Sequence, residues 1–263
     1  MNRIDERFQI LKNAGNKALI TFITAGDPDL ETTIELVLAM ERAGADIVEL
    51  GIPFSDPIAD GPVIQRSSAR ALEVGAKMDR IMNAAKAIRK RSEVPLVYLV
   101  YYNSIFKYGP ERFAGKAHDA GVDGVIIPDL PVEEHREMAD LISSQGMHLI
   151  PMVAPTSRDR IRKITDGAGG FVYCVSVKGV TGVREKIDTD IKFYMDEVSR
   201  YTSLPRALGF GVSGPEMAKK VKDYCEGVIV GSAIVRLIEV SKNREEMLGN
   251  ITDFVSRMKK ALG

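Results

Sequence analysis

Two carboxylates have the residue type and spacing to do chemistry in this sequence. Glu49 sits in the middle of an apolar run, DIVELG (Asp46 to Gly51). On a strand it shares a face with Ile47 and Gly51, because successive side chains alternate. An acid there loses hydration, so it either pairs with hydroxyls such as Tyr173 or Thr24, or holds a raised pKa. A raised pKa suits a group that gives and takes a proton near neutral pH. The chain then breaks at Pro53 and runs through PFSDPIADGP, which carries Asp56 and Asp60. An acid in a strand and another just beyond its C-terminal end can be aimed at one ligand. Either loop aspartate can equally be a turn residue bonding its own backbone.

A second chemistry is written in three glycine- and hydroxyl-rich stretches: KGVTG (Lys178 to Gly182), GFGVSG (Gly209 to Gly214) and GSA (Gly231 to Ala233). Glycines let backbone N–H groups approach an anion, and a helix opening at Ser232 would add its positive end. Any one of these loops could simply end a strand tightly; three that agree point to a phosphate site. Lys+Arg and Asp+Glu number 36 each, so an anion must be held by local geometry, and no net field draws the chain to nucleic acid or a membrane surface. The stretch from Lys178 to about Lys186 is long for a connection and reads as a lid over the ligand, or as an ordinary surface loop.

Other chemistries find little support. No lysine falls inside a proposed strand, which argues against Schiff-base catalysis. His118, His135 and His148 lie on helices or at the start of a strand, so a catalytic metal is not expected. Cys174 and Cys225 are widely spaced in or beside apolar segments, as in a reduced, cytoplasmic protein. The start, MNRIDERFQILKNAG, reads as an amphipathic helix with Ile4, Phe8 and Leu11 on one face, not as a signal peptide, and no apolar run is long enough to span a bilayer.

The elements that must position these residues alternate along the chain. Strands are expected at Ala18 to Thr24, Asp46 to Gly51, Val94 to Tyr102, Gly124 to Leu130, MHLIPMVAPT, Gly170 to Val177, RALGFGVSG and GVIVGSA. Between them the pattern predicts helices over a stretch ending near Gly44, then Gln65 to Gly75, Met78 to Arg91, Pro110 to Ala120, Val132 to Gln145, Ser157 to Thr165, Asp190 to Tyr201 and Pro215 to Tyr224, with further helices to the end. The strands are continuous apolar runs, as in a parallel sheet buried on both faces. Eight such units without a composition break predict an α/β fold, a single (β/α)₈ barrel over residues 1–263 preceded by one helix. An open doubly wound sheet alternates in the same way, but the turn after the first strand is AGDPD, without its GxGxxG pattern. In a barrel, chemistry belongs at the C-terminal ends of the strands. There Phe22, Leu99, Tyr101, Tyr173 and Phe210 offer an apolar slot for a flat ligand, unless they serve only as core.

VELGIPFSDPIADGPVIQ (Val48 to Gln65) closely resembles the signature of the tryptophan synthase α subunit, and FITAGDP, VIIPDLPVEE, APT, GVTG, GFGVS and GSAIV follow that family's order across the whole chain. The resemblance implies a TIM barrel and a carbon–carbon lyase that cleaves indole-3-glycerol phosphate to indole and glyceraldehyde 3-phosphate. It implies Glu49 and Asp60 as the catalytic pair, Glu49 carrying the proton and Asp60 partnering the indole N–H. It further implies Tyr173 beside the glutamate, Phe22, Leu99 and Phe210 along the indole slot, and Gly182, Gly211, Gly231 and Ser232 as the phosphate cradle. Thr181 is similar to a lid threonine that orders Asp60. The family carries no cofactor in this subunit; a pyridoxal-phosphate β subunit receives the indole in an αββα assembly. Read from the residues alone, another phosphate-binding barrel, a non-catalytic regulatory subunit and a self-sufficient indole-releasing lyase stay open.

Overall fold

The computed structural model describes residues 1–130, 133–175, 184–209 and 211–263. Strands β1 (Ala18–Thr24), β2 (Ile47–Gly51), β3 (Leu96–Leu99), β4 (Gly124–Ile126), β5 (His148–Leu149), β6 (Met152–Val153), β7 (Val172–Val175), β8 (Arg206–Gly209) and β9 (Gly227–Val230) form one parallel sheet in the order β5-β4-β3-β2-β1-β9-β8-β7-β6. The two ends of that order are one stretch of chain. β5 pairs with β4 and β6 with β7. Between them the Ile150 N–H donates to the Val125 carbonyl at 2.8 Å and the Pro151 carbonyl accepts from the Tyr173 N–H at 2.9 Å. The sheet therefore closes as an eight-stranded barrel, the fifth strand being interrupted where proline supplies no N–H.

Helices α1 (Arg3–Asn13), α2 (Leu30–Arg42), α3 (Pro62–Glu73), α4 (Met78–Arg89), α5 (Tyr102–Tyr108), α6 (Pro110–Asp119), α7 (His135–Ser144), α8 (Ile161–Thr165), α9 (Arg184–Ser199), α10 (Pro215–Val221), α11 (Ser232–Val240) and α12 (Arg244–Leu262) surround it. The outward strand residues, such as Leu19, Ile23, Val48 and Leu50, pack against the helices in one core. The inward ones, including Ile20, Ile47, Val97, Ile126 and Ile229, make a second core inside the barrel. The apolar face of α1 plugs its lower end with Ile4, Phe8 and Leu11, as the 3.6-residue period predicts.

Two departures from the expected elements have physical causes. β3 stops at Leu99, and the tyrosines that read as its continuation open α5, whose first N–H, of Tyr102, is taken by the Asp129 carboxylate at 2.8 Å. That partner is 27 residues away and leaves no local signature. α9 starts at Arg184, six residues before the expected Asp190: REKIDTD contains good helix formers but little apolar periodicity, so it read as loop. The expected start of α7 at Val132 lies outside the described residues; the helix begins at His135, after a turn at Glu133 and Glu134.

At the lower end, carboxylates just before β2, β4 and β9 each accept an N–H from the start of a neighbouring strand: Asp46 from Leu19, the second residue of β1, Asp123 from Leu96 and Glu226 from Arg206. Cations neutralise all three. Asp46 is fully buried and holds Arg7 at 2.6 Å and Lys259 at 2.7 Å, joining α1 and α12 to the sheet. The surface pair Arg3–Glu93, with Glu93 77 % exposed, is a different case, since solvent screens it. Asp46→Ala would strand two cations and a buried N–H, with an expected loss of roughly 3 kcal/mol, whereas Glu93→Ala should lose under about 1 kcal/mol. Urea unfolding of both variants checks the ranking, which equal losses would overturn.

Candidate active site

Glu49 stands in the middle of β2, with Phe22 of β1 and Val97 of β3 as its register neighbours. It is 0 % exposed, and among the described residues neither of its oxygens has a hydrogen-bond partner. Neither Tyr173 nor Thr24 satisfies it, although the sequence offered both. Burial, unrelieved by any cation, pushes its carboxyl up to about 8. Its neutral form therefore prevails near neutrality, so the group can donate a proton and take one back. The Tyr173 hydroxyl is held well above its ordinary range by burial and by the nearby charges of Glu49 and Asp60, which places all three side chains in one electrostatic neighbourhood.

Asp60 lies on the loop between β2 and α3, half buried, and desolvation raises its pKa, partly offset by a hydrogen bond from the Tyr101 hydroxyl. The same hydroxyl accepts the Ala59 N–H at 3.0 Å, and the Tyr101 ring stacks on Phe54 with centroids 5.0 Å apart. Tyr101 thus anchors a loop otherwise made of turn residues. Asp56, by contrast, is exposed and bonds Ser55 at 2.5 Å; it is a turn residue.

Asp60, Phe22, Leu99, Tyr173, Gly211, Gly231 and Ser232 line one cavity of about 470 Å³ at the C-terminal ends of the strands, with Ile64 of α3 and Ile229 of β9 among its apolar walls. Glu49 lies in the barrel wall next to Phe22. The glycines make room for the rings. A Cβ at Gly51 would stand 2.6 Å from Phe22, one at Gly209 2.5 Å from Tyr173, and one at Gly231 3.2 Å from Phe22. Gly211 differs, since its φ of 84° is left-handed backbone that other residues rarely adopt. At the far end α11 opens at Ser232 behind Gly231, with no side-chain cap on its first N–H groups, so its positive end faces the cavity as an anion site. The arrangement joins a proton-carrying acid, a flat apolar slot, a second acid and an anion-binding end.

Residues 8–263 match the family model described as Tryptophan synthase alpha chain. The chain belongs to the tryptophan synthase alpha chain family. The tryptophan synthase alpha chain of Thermoanaerobacter sp. is 59% identical over 262 residues and covers 100% of both chains. The solved tryptophan synthase alpha chain of Legionella pneumophila superposes with a TM-score of 0.91 at 37% identity, covering 100% of this chain and 97% of that one. A chain from the structure of the mutually activated tryptophan synthase α2β2 complex of Pyrococcus furiosus superposes with a TM-score of 0.86 at 38% identity, covering 92% of this chain and 98% of that one.

As a member of that family, the chain brings most of the sequence-predicted residues that are described to one place. Thr181, Gly182 and Phe210, and the lid stretch up to residue 183, lie outside the described residues. The anchoring of Asp60 by Tyr101, the α3 wall of Val63 and Ile64, and Arg236 at the helix end escaped the sequence reading. Val63 and Ile64 carried a signal, an apolar pair directly after the Gly61-Pro62 helix start; the Tyr101 bond carried none. Elsewhere, His135 lies by a separate cavity of about 310 Å³ with Asp129, and His148 pairs with Asp5 at 2.9 Å. Among the described residues no cluster of three or more His, Cys, Asp or Glu is arranged to hold a metal.

Glu49 also makes stability depend on pH. Between its ordinary 4.5 and about 8, the folded chain keeps a proton that the unfolded chain has released, so stability falls as pH rises through that window. Glu49→Gln cannot ionise. The variant should gain stability over the parent from pH 5 to pH 8, by up to roughly 1.4 kcal/mol per pH unit, in urea unfolding at the two pH values. Identical pH slopes for the two proteins would show that Glu49 ionises freely.

Proposed function

We propose that Glu49 and Asp60 are the catalytic pair of a retro-aldol cleavage of indole-3-glycerol phosphate to indole and glyceraldehyde 3-phosphate. The chain acts as the α subunit of tryptophan synthase, and its indole passes to a pyridoxal-phosphate β subunit that makes L-tryptophan. The observation that carries this reading is the unpaired, fully buried Glu49 carboxyl, neutral near pH 7, beside an apolar slot that ends at a helix N-terminus.

The flat ring occupies the slot between Phe22, Leu99 and Tyr173, with Phe210, and the phosphate reaches the amides of Gly211, Gly231 and Ser232, with Gly182. Neutral Glu49 gives its proton to C3 of the indole ring. Positive charge develops on the ring N–H, and the Asp60 carboxylate accepts a hydrogen bond from it and stabilises that charge in a water-poor site. The C3′ hydroxyl then loses its proton to the Glu49 carboxylate as its oxygen becomes a carbonyl. The C3–C3′ bond breaks, its electrons restore the aromatic ring, and Glu49 is neutral again. Thr181, which lies outside the described residues, is assigned the ordering of Asp60 by the family resemblance. No cofactor is assigned to this chain; the pyridoxal phosphate belongs to the partner. Residues 1–263 act as one barrel domain in the cytoplasm, in keeping with two buried free cysteines. No helix among the described residues is long and apolar enough to cross a membrane.

The deciding assay is indole release from indole-3-glycerol phosphate by the purified chain, alone and then with a tryptophan synthase β subunit. Slow release that rises sharply with the partner is expected; fast release without it would point to a self-sufficient lyase. Glu49→Gln should lower kcat by at least about a hundredfold, the size of a general acid/base contribution, with ligand binding kept; near-normal turnover would remove Glu49 from the mechanism. Because the neutral form starts the reaction, kcat/KM should fall as pH rises through about 8, and a flat alkaline limb would contradict the role.

A further inference from the structure

The cavity lining contains two charged side chains among the described residues, Asp60 and Arg236. Arg236 lies on α11 four residues after Ser232, so the two share a helix face. Helical side chains lean toward the N-terminus, which carries a long side chain at 236 back over the Gly231–Ser232 turn. Ser213, from the loop after β8, lines the same end. The other charge on α11, Glu239, is taken by Arg66 at 2.6 and 2.8 Å and by Arg70 at 3.2 Å. Arg236 has no salt bridge among the described residues. It is an exposed cation, uncommitted within the fold, at the end of the cavity where the anion belongs.

We propose that Arg236 binds the phosphate group of the substrate, supplying the full positive charge that a cradle of backbone amides lacks, and so favours a dianion over a neutral or singly charged group. This rests on the cavity being the substrate site. A helix end provides only about half an elementary charge, so a dianion there is left undercompensated. Arg236 is solvent-exposed, and its attraction weakens with ionic strength over a Debye length of about 8 Å at physiological salt. The phosphate keeps its charge throughout carbon–carbon cleavage. Interactions equal in ground and transition state change KM and leave kcat alone. Arg236 is thus a binding residue with no part in turnover.

The test uses the full chain, with Arg236→Gln, Arg236→Lys and Gly211→Asp compared for KM, kcat and competitive inhibition by inorganic phosphate at low and high salt. Arg236→Gln should raise KM and weaken phosphate inhibition by about fivefold, the upper size of a solvent-exposed charge pair. Its kcat should stay within about twofold, its salt dependence should flatten, and Arg236→Lys should recover most of the loss. Unchanged KM and inhibition in Arg236→Gln, with both weakened in Gly211→Asp, would overturn the role of Arg236 and leave the substrate site standing. A fall in kcat at unchanged KM would also overturn it, as a structural effect. Normal binding in Gly211→Asp as well would remove the anion site itself, and Arg236's role with it.

Discussion

A carboxyl group inside an apolar barrel, with no cation and no hydroxyl among the described residues to relieve it, is the constraint around which this molecule is arranged. Leaving a polar group buried and unpaired costs free energy, and Glu49 lowers that cost by keeping its proton, at the price of a pKa moved to about 8. The burial comes from its neighbours. Phe22 and Val97 flank it in the ladder, and Ile47, one pleat below, belongs to the inner core. Had the wall offered an arginine, the group would be a salt bridge with a low pKa and no proton to lend. The apolar interior therefore serves both as core and as the device that tunes the acid.

The two ends of the barrel handle charge in opposite ways. At the lower end Asp46, Asp123 and Glu226 are saturated with strand N–H groups and guanidinium or ammonium partners, so their charge is spent on fixing the strands and the α1 plug. At the upper end, among the described residues, Glu49 is unpaired and Asp60 has only the Tyr101 hydroxyl and partial burial. Paired charge makes structure, and underpaired charge makes chemistry. Stability is thus concentrated where no ligand comes.

The strands and the barrel were legible because both faces of a parallel sheet are buried, which turns each strand into a continuous apolar run. The anomalies inside that pattern, an acid in one strand and glycines after three others, were legible as a site for the same reason. What stayed hidden depends on partners far along the chain. Nothing near Tyr102 announces that Asp129 will cap a helix there, and nothing near Tyr101 announces that its hydroxyl will hold the Asp60 loop. The glycines were only half understood. Gly209 and Gly231 were read as space for an anion, yet the space at each is filled by Tyr173 or Phe22; at Gly231 both demands meet in one residue. Of Gly209, Gly211 and Gly231, it is Gly211 that shows the left-handed backbone that a sharp loop requires.

The separation between the acid end and the anion end of the cavity is set by helices, not by loops. α3 begins directly after Asp60 and α11 directly after Gly231, and the two helices pack together. Glu239 of α11 bridges to Arg66 and Arg70 of α3, and Arg70 continues to Asp27 on the loop after β1. These links are unequal. Arg66 is 52 % exposed, and such a pair contributes under about 1 kcal/mol. Asp27 is 1 % exposed and accepts both Arg70 nitrogens, at 2.9 and 2.7 Å, together with the Ser67 hydroxyl. A buried carboxylate this well satisfied can leave its site only by losing all three bonds, so the α3–Asp27 contact is the rigid member and Glu239 is the adjustable one. The acid end is thereby tied to the barrel, while α11, held on the barrel by its buried Ile234 and Val235, is joined to α3 by a weaker, solvent-screened ion pair.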